Sequence, residues 1–352
     1  TTNAYGSYGS WLPCGYDDRH TSIEGFAHFH EFQIGGVVTI PTTGELKTLP
    51  GTLEDPDSGY RSRIDKTTEV STPGYYAVTL TDYNIKAEIT ATTRTGFHRY
   101  TFPQSTTSRI LFDIGHKQGE SATITDAEVT YHPETNEVTG WVENYPIYAT
   151  FCQPDGKIKI FFAAKLDKKP QTIGTFIDEK IQENSNSVKG PGCGLYLTFQ
   201  TKAKEQIQMQ VGLSYTNIEN ARNNRDSEAT GKSFDDVKNA AHQTWNEMLS
   251  RIQVEGGTPE DKTKFYTGLY HALLGRGIAN DINGQYIRHD KTVGQIPLDK
   301  NGIPLYSHHN TDGMWGGFWN LTQIWTLAYP EIFSSYIKSN LDFFKNSGWL
   351  HD

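Results

Sequence analysis

Small or apolar residues alternate with polar ones through Ile85-Lys-Ala-Glu-Ile-Thr-Ala-Thr: Ile85, Ala87, Ile89 and Ala91 share one face, Lys86, Glu88, Thr90 and Thr92 the other. A period of two predicts a strand with one buried and one wet side. Turn residues punctuate this text at Asp82-Tyr-Asn, Asn136-Glu, Pro154-Asp-Gly and Gly190-Pro-Gly, between runs such as Lys157-Ile-Lys-Ile-Phe-Phe and Gln206-Ile-Gln-Met-Gln-Val. Many short strands joined by turns predict an antiparallel β-sandwich over residues 1–230.

Near Ser233 the period lengthens. Phe234, Val237, Ala241, Trp245, Met248 and Ile252 recur at steps of three or four, and Ser233 with Asp236 has the spacing of a capping box. This predicts a helical linker over 231–257. Thr258-Pro-Glu-Asp repeats the start signal, with Pro at the first helical position, and Phe265, Leu269 and Leu273 continue the stripe. Further helices are predicted from Trp319 to Leu327 and from Pro330 to Asn346; 258–352 thus holds only three or four helices, which either pack on the sandwich as an appendage or belong to a longer chain. The fold class is β then α.

Composition narrows the partners. A length of 352 residues suits two domains, and 21% charged with 12% aromatic residues is the make-up of a chain that folds. The net charge of −9 repels a phosphate backbone, so nucleic acid is excluded as a partner. No apolar run approaches the ~18 residues of a bilayer span, so no membrane insertion is predicted. Cys14, Cys152 and Cys193 have no zinc-site spacing. Their odd number leaves buried thiols, or one disulfide beside a free thiol, both open.

Longer stretches carry a recognisable text. Gly15-Tyr-Asp-Asp, Ile23-Glu-Gly-Phe-Ala-His-Phe-His and Ile40-Pro-Thr-Thr-Gly come first. Ser71-Thr-Pro-Gly-Tyr-Tyr, Thr95-Gly-Phe-His-Arg-Tyr-Thr-Phe-Pro, Gly212-Leu-Ser-Tyr-Thr-Asn and Phe265-Tyr-Thr-Gly-Leu-Tyr-His follow in order. The chain resembles glycoside hydrolase family 92, the calcium-dependent exo-α-mannosidases, over nearly its whole length. The resemblance implies an N-terminal β-sandwich, a helical linker and the first helices of an (α/α)6 catalytic barrel, with mannose-containing glycans as substrate and a mannose pocket built by both domains. It also implies inversion, a Ca²⁺ cofactor with ligands mostly beyond residue 352, and periplasmic or secreted location. The general acid and base are expected in the later barrel, making the remaining C-terminal part of the catalytic domain a necessary partner.

Two motifs depart from the family text. His28-Phe-His30 is followed by Glu31-Phe-Gln-Ile-Gly rather than a Leu-Ser-Gly-like turn, and Phe318-Trp319-Asn320-Leu321 stands where Leu-Trp-Asp-Thr is usual. Both bear on linkage or leaving group more than on fold.

An inverting glycosidase needs two carboxyl groups roughly 6.5–9.5 Å apart, and no such pair can be chosen among 41 acids. The doublets Asp17-Asp18 and Asp235-Asp236 read as solvated turns, because adjacent side chains point apart. Sugar recognition needs aromatic rings for C–H faces and amides or carboxylates for hydroxyls. Asn310-Thr-Asp-Gly-Met-Trp-Gly-Gly-Phe-Trp-Asn has that mixture, with Asp312 and Asn320 as hydroxyl partners and Trp315 and Trp319 as platforms. Trp325, at helix spacing, reads as packing. The resemblance adds Trp11, Gly15 and Tyr16 from an N-terminal loop. His28 and His30, also substrate-binding candidates, at i and i+2, lack a third metal ligand in register and read as a hydrogen-bonded pair near the domain interface; His308-His309 reads as loop histidines beside the sugar pocket. The competing function is a carbohydrate-binding sandwich without catalysis, and another is a glycoside phosphorylase of related architecture. A reading frame that continues well past Asp352 distinguishes the enzyme from the binding module.

Overall fold

Asn84 and Asn136 take φ of 51° and 54°, and Gly190 and Gly192 φ of 118° and 72°, so the chain reverses where the turn residues stand. The computed structural model describes residues 18, 20–31, 34–118, 123–146, 149, 155–274, 277–309 and 314–350, with backbone alone at 29–31, 34, 314 and 315. The chain divides into two compact units, Thr1–Leu213 with Asn217–Val237, and Ser214–Thr216 with Lys238–Asp352.

The first unit holds two sheets. In spatial order the ten-stranded sheet runs Ser22–Ile23, Ser62–Thr72, Tyr75–Leu80, Ile85–Ala91, Thr95–Phe102, Glu205–Ser214, Ile158–Leu166, Glu137–Tyr145, Thr123–His132 and Ser187–Lys189. The six-stranded sheet runs Lys180–Glu183, Thr172–Ile177, Cys193–Thr201, Ser105–Asp113, Ile34–Thr42 and Phe26–Glu31. Pairing is antiparallel, as in Val138 opposite Ala164 and Leu195 opposite Phe112. The sheets pack face to face: Phe112 of the smaller stacks on Phe162 of the larger with centroids 6.3 Å apart. The approach is close enough that a Cβ at Gly36 would stand 2.7 Å from Val142 Cγ1. Cys193 is buried and unpaired; Cys14 and Cys152 lie outside the described residues.

Two expectations are corrected here. Alternation in Ile85–Ala91 makes Glu88 and Thr90 wet, yet they are 4% and 3% exposed. The outer face of this region is covered by helix, because Phe234 and Val237 pack with Phe97, Ala229 and Tyr75. Glu88 is satisfied there by Arg99, which donates to both its oxygens at 3.0 Å, and by the Tyr75 hydroxyl at 2.8 Å. The second correction is a helix inside the stretch read as strands, α1 (Ile218–Ala229), begun by Asn217, whose Oδ1 accepts from Asn220 N–H at 2.7 Å. Its inward face includes Asn220, Asn224, Arg225 and Glu228, so no apolar period announces it.

The other helices are α2 (Phe234–Leu249), α3 (Pro259–Leu274), α4 (Met314–Gly317), α5 (Leu321–Ala328) and α6 (Pro330–Ser347). Both expected caps are made: Ser233 and Asp236 exchange bonds at 2.7–3.1 Å, and Thr258 and Asp261 at 2.8–3.2 Å. Asp236 thus serves as a cap while Asp235 pairs with Arg99 at 2.9 Å, so this doublet is structural. The second unit has its own core, in which Leu269, Trp325, Tyr329 and Tyr336 are buried together. A hairpin of Gln285–Ile287 and Val293–Gln295 precedes α4.

Candidate functional site

Helix α5 presents two different sides. Its Trp325 is 2% exposed, donates its indole N–H to the Ala272 carbonyl at 3.2 Å and meets Tyr336 edge-on at 5.6 Å. Immediately before the helix, Phe318 and Trp319 are 64% and 72% exposed, their rings tilted at 51° with centroids 5.2 Å apart. Large aromatics are seldom left this open without a partner. Asn320 occupies the N-cap position, where an Asn side chain ordinarily accepts from the first turn, yet it makes no capping bond. Its carbonyl is engaged, accepting from Ile324 N–H at 3.2 Å, while its amide is exposed. The structure thus places an open aromatic pair next in sequence to an exposed amide that makes no capping bond, followed one and a half turns on by a buried tryptophan.

The polypeptide leading to this segment is held by buried polar bonds. His308 N–H donates to Asn280 Oδ1 at 2.8 Å, and His308 stacks on Tyr286 at 4.0 Å. His309 N–H donates to Ser339 Oγ at 2.9 Å. Burial lowers the pKa of His308 to about 4, with His309 adding repulsion, so the imidazole is neutral at pH 7. Asp312 lies outside the described residues, as does the side chain of Trp315.

Of the N-terminal candidates, Trp11, Gly15 and Tyr16 lie outside the described residues, and His30 is described in backbone alone. His28 is half-buried, with its ring bonded within the sandwich. Its Nδ1–H donates to the Val37 carbonyl, and its ring lies 4.6 Å from His98 of the facing sheet. Its Nε2 is buried with no hydrogen-bond partner among the described residues. His98 contacts the Tyr100 hydroxyl through Nδ1 at 2.7 Å, and that hydroxyl lies 3.3 Å from Thr39 Oγ1. His98 is the residue sequence reasoning missed. The signal was present in Gly96, His98, Tyr100 and Phe102, which share one face of a strand. Among the described residues no group of three or more His, Cys, Asp or Glu side chains could hold a metal.

Comparison with known proteins gives the chain its relatives. The family model described as glycosyl hydrolase family 92 N-terminal domain matches residues 3–214, and that described as the family 92 catalytic domain matches 220–352. The family GH92 α-mannosidase BT3965 from Bacteroides thetaiotaomicron is similar in structure, with a TM-score of 0.83 and 27% identity over 95% of this chain and 44% of its own. BT3965 has also been solved in complex with mannoimidazole. The inverting mannosidase BT2199 from the same organism shares the fold at a TM-score of 0.75 and 22% identity, over 94% of this chain and 42% of its own. An uncharacterized secreted glycosidase from Arthroderma benhamiae is 23% identical over 289 residues, 74% of this chain and 36% of that protein. The chain spans less than half the length of these relatives.

Proposed function

The chain belongs to glycosyl hydrolase family 92, and from that premise we propose that it is the amino-terminal part of an exo-acting α-mannosidase removing terminal mannose from glycans with inversion. The carrying observation is the open pair Phe318 and Trp319 beside the uncommitted amide of Asn320. A pyranose offers C–H faces to an aromatic ring and hydroxyls to an amide, which both donates and accepts. In this reading Trp319 is the platform and Asn320 fixes one hydroxyl. The mannoimidazole complex of BT3965 supports mannose as the sugar.

The acid and base carboxylates, and the ligands of a bound Ca²⁺, are proposed to come from sequence beyond Asp352. Calcium, when bound, supplies positive charge and oxygen coordination; the residues described here orient the sugar. The name of the Arthroderma relative supports export, to the periplasm or the medium.

The test is hydrolysis of an aryl α-mannoside by the complete enzyme, followed by proton NMR. Inversion yields β-mannose as the first-formed sugar, and Trp319→Ala lowers kcat/KM by about tenfold or more, a loss on the order of 1.4 kcal/mol. First-formed α-mannose, or unaltered kinetics in the variant, overturns the proposal.

A further inference from the structure

The first unit contains a buried ionic network. Glu24 and Arg61 are 4% and 5% exposed, and Arg61 Nη2 donates to Glu24 Oε2 at 2.9 Å. The Tyr60 hydroxyl donates to Asp113 Oδ2 at 2.6 Å, where Asp113 is 2% exposed. His116 closes on the same carboxylate twice, Nδ1–H to Oδ2 at 2.7 Å and backbone N–H to Oδ1 at 3.1 Å. Its Nε2 lies 3.3 Å from Asp178 Oδ1, in the turn between Thr172–Ile177 and Lys180–Glu183.

Among the described residues the groups that face Glu24 are Arg61, Asp113 and His116, with the neutral Tyr60 among them, and the buried Cys193 thiol faces Asp113. The buried Asp113 carboxylate meets one nitrogen of the His116 ring, and Asp178 stands against the other. Removing the imidazole proton leaves an uncompensated buried negative charge, which is costly. Burial is the largest influence on Glu24 and raises its pKa to about 7, against the pull of Arg61. Burial opposes protonation of His116, but the bonds and charges of Asp113 and Asp178 prevail and raise it to about 9.

We propose that Glu24, Tyr60, Arg61, Asp113, His116 and Asp178 form a proton-operated clamp that fastens the Ser62–Thr72 strand, the end of Ser105–Asp113 and the turn at Asp178, and loosens as protons leave. Both titrating groups have pKa values raised above their unfolded values, so each stabilises most fully below the unfolded value. The Glu24 contribution is lost between about pH 4.5 and 7, and that of His116 between about 6.5 and 9. Each loss is up to about two orders of magnitude in the folding equilibrium constant.

The experiment is urea unfolding of the 352-residue chain from pH 4.5 to 9.5 for wild type, Glu24→Gln and His116→Gln, read as differences between proteins so that other titrating groups cancel. Glu24→Gln is expected to abolish the decline on the acid side of neutrality and His116→Gln the decline on the alkaline side. Asp178→Asn, at a side chain 68% exposed, tests the clamp without disturbing the core and should move the alkaline limb to lower pH with the acid limb unchanged. Parallel pH profiles in wild type and Asp178→Asn, or an acid-side slope retained in Glu24→Gln, overturn the proposal. Should either buried variant fail to fold, carboxyl ¹³C titration of Glu24 in the wild type decides: a midpoint near 7 supports the clamp, one near 4.5 refutes it.

Discussion

The Nδ1–H of His28 donates to the carbonyl oxygen of Val37 at 2.5 Å, at the point where the ladder between Phe26–Glu31 and Ile34–Thr42 skips a pair. Val37 is fully buried with φ of 52°, a costly conformation for a β-branched residue, and the imidazole takes up the carbonyl that the twisted backbone turns away. His28→Ala strands that acceptor and should cost about 1–3 kcal/mol in urea unfolding. Burial lowers the His28 pKa to about 4, with the Val37 bond opposing. A depressed histidine contributes stability that is present above 6.5 and lost as pH falls toward 4, so the variant should lose that acid limb.

Trp319 and Trp325 should separate function from stability. Trp325→Ala empties a core site among Leu269, Tyr329 and Tyr336 and removes the bond to the Ala272 carbonyl; a loss of about 3–5 kcal/mol is expected. Trp319→Ala removes a side chain 72% exposed and should leave unfolding within about 0.5 kcal/mol of wild type. Chemical denaturation of both variants checks this; comparable destabilisation would make Trp319 a packing residue.

Arg225, fully buried on α1, donates to Glu137 at 2.6 Å, and Arg222 reaches the same carboxylate at 3.3 Å. Arg225→Met leaves Glu137 buried with only the longer contacts from Arg222 and the Thr135 hydroxyl among the described residues, so a loss of about 3–5 kcal/mol is expected. The double variant Arg225→Met/Glu137→Leu should recover much of it, because the uncompensated charge is gone. Denaturation midpoints of the single and double variants check the cycle.

Those residues also explain what the sequence could convey. The caps at Ser233 and Thr258 are local, made within three residues, and were legible. So was the sandwich, because a period of two survives wherever one face is dry. Helix α1 was hidden since its buried face is polar and depends on Glu137, which lies far back in the chain. Glu88 looked solvent-facing because its cover, Phe234, arrives more than a hundred residues later. His28 was legible as a candidate but its partners were not: Val37 stands across a hairpin and His98 on the other sheet. For the candidate site, Trp319 and Trp325 share a helical period in the sequence, and only the packing of Tyr336 against the latter shows which of the two is a core residue.

Asn320 is the sharpest test of specificity. It stands where the related text has Asp, it starts α5 without capping it, and its exposed amide can donate as well as accept. Asp at this position accepts only, and its charge would be favoured by the helix N-terminus, drawing the side chain into the capping bond. Asn320→Asp should therefore modestly stabilise the fold, by about 0.5 kcal/mol, while lowering kcat/KM for any mannoside whose hydroxyl needs a donor. The new negative charge would also repel a phosphate-bearing substrate, so the loss should be larger for a phosphorylated mannoside than for a neutral one. Measuring kcat/KM for both substrates in the complete enzyme, wild type against Asn320→Asp and Asn320→Ala, separates the two effects. Equal losses on both substrates would leave hydrogen bonding as the only role of Asn320, and no loss on either would remove it from the site.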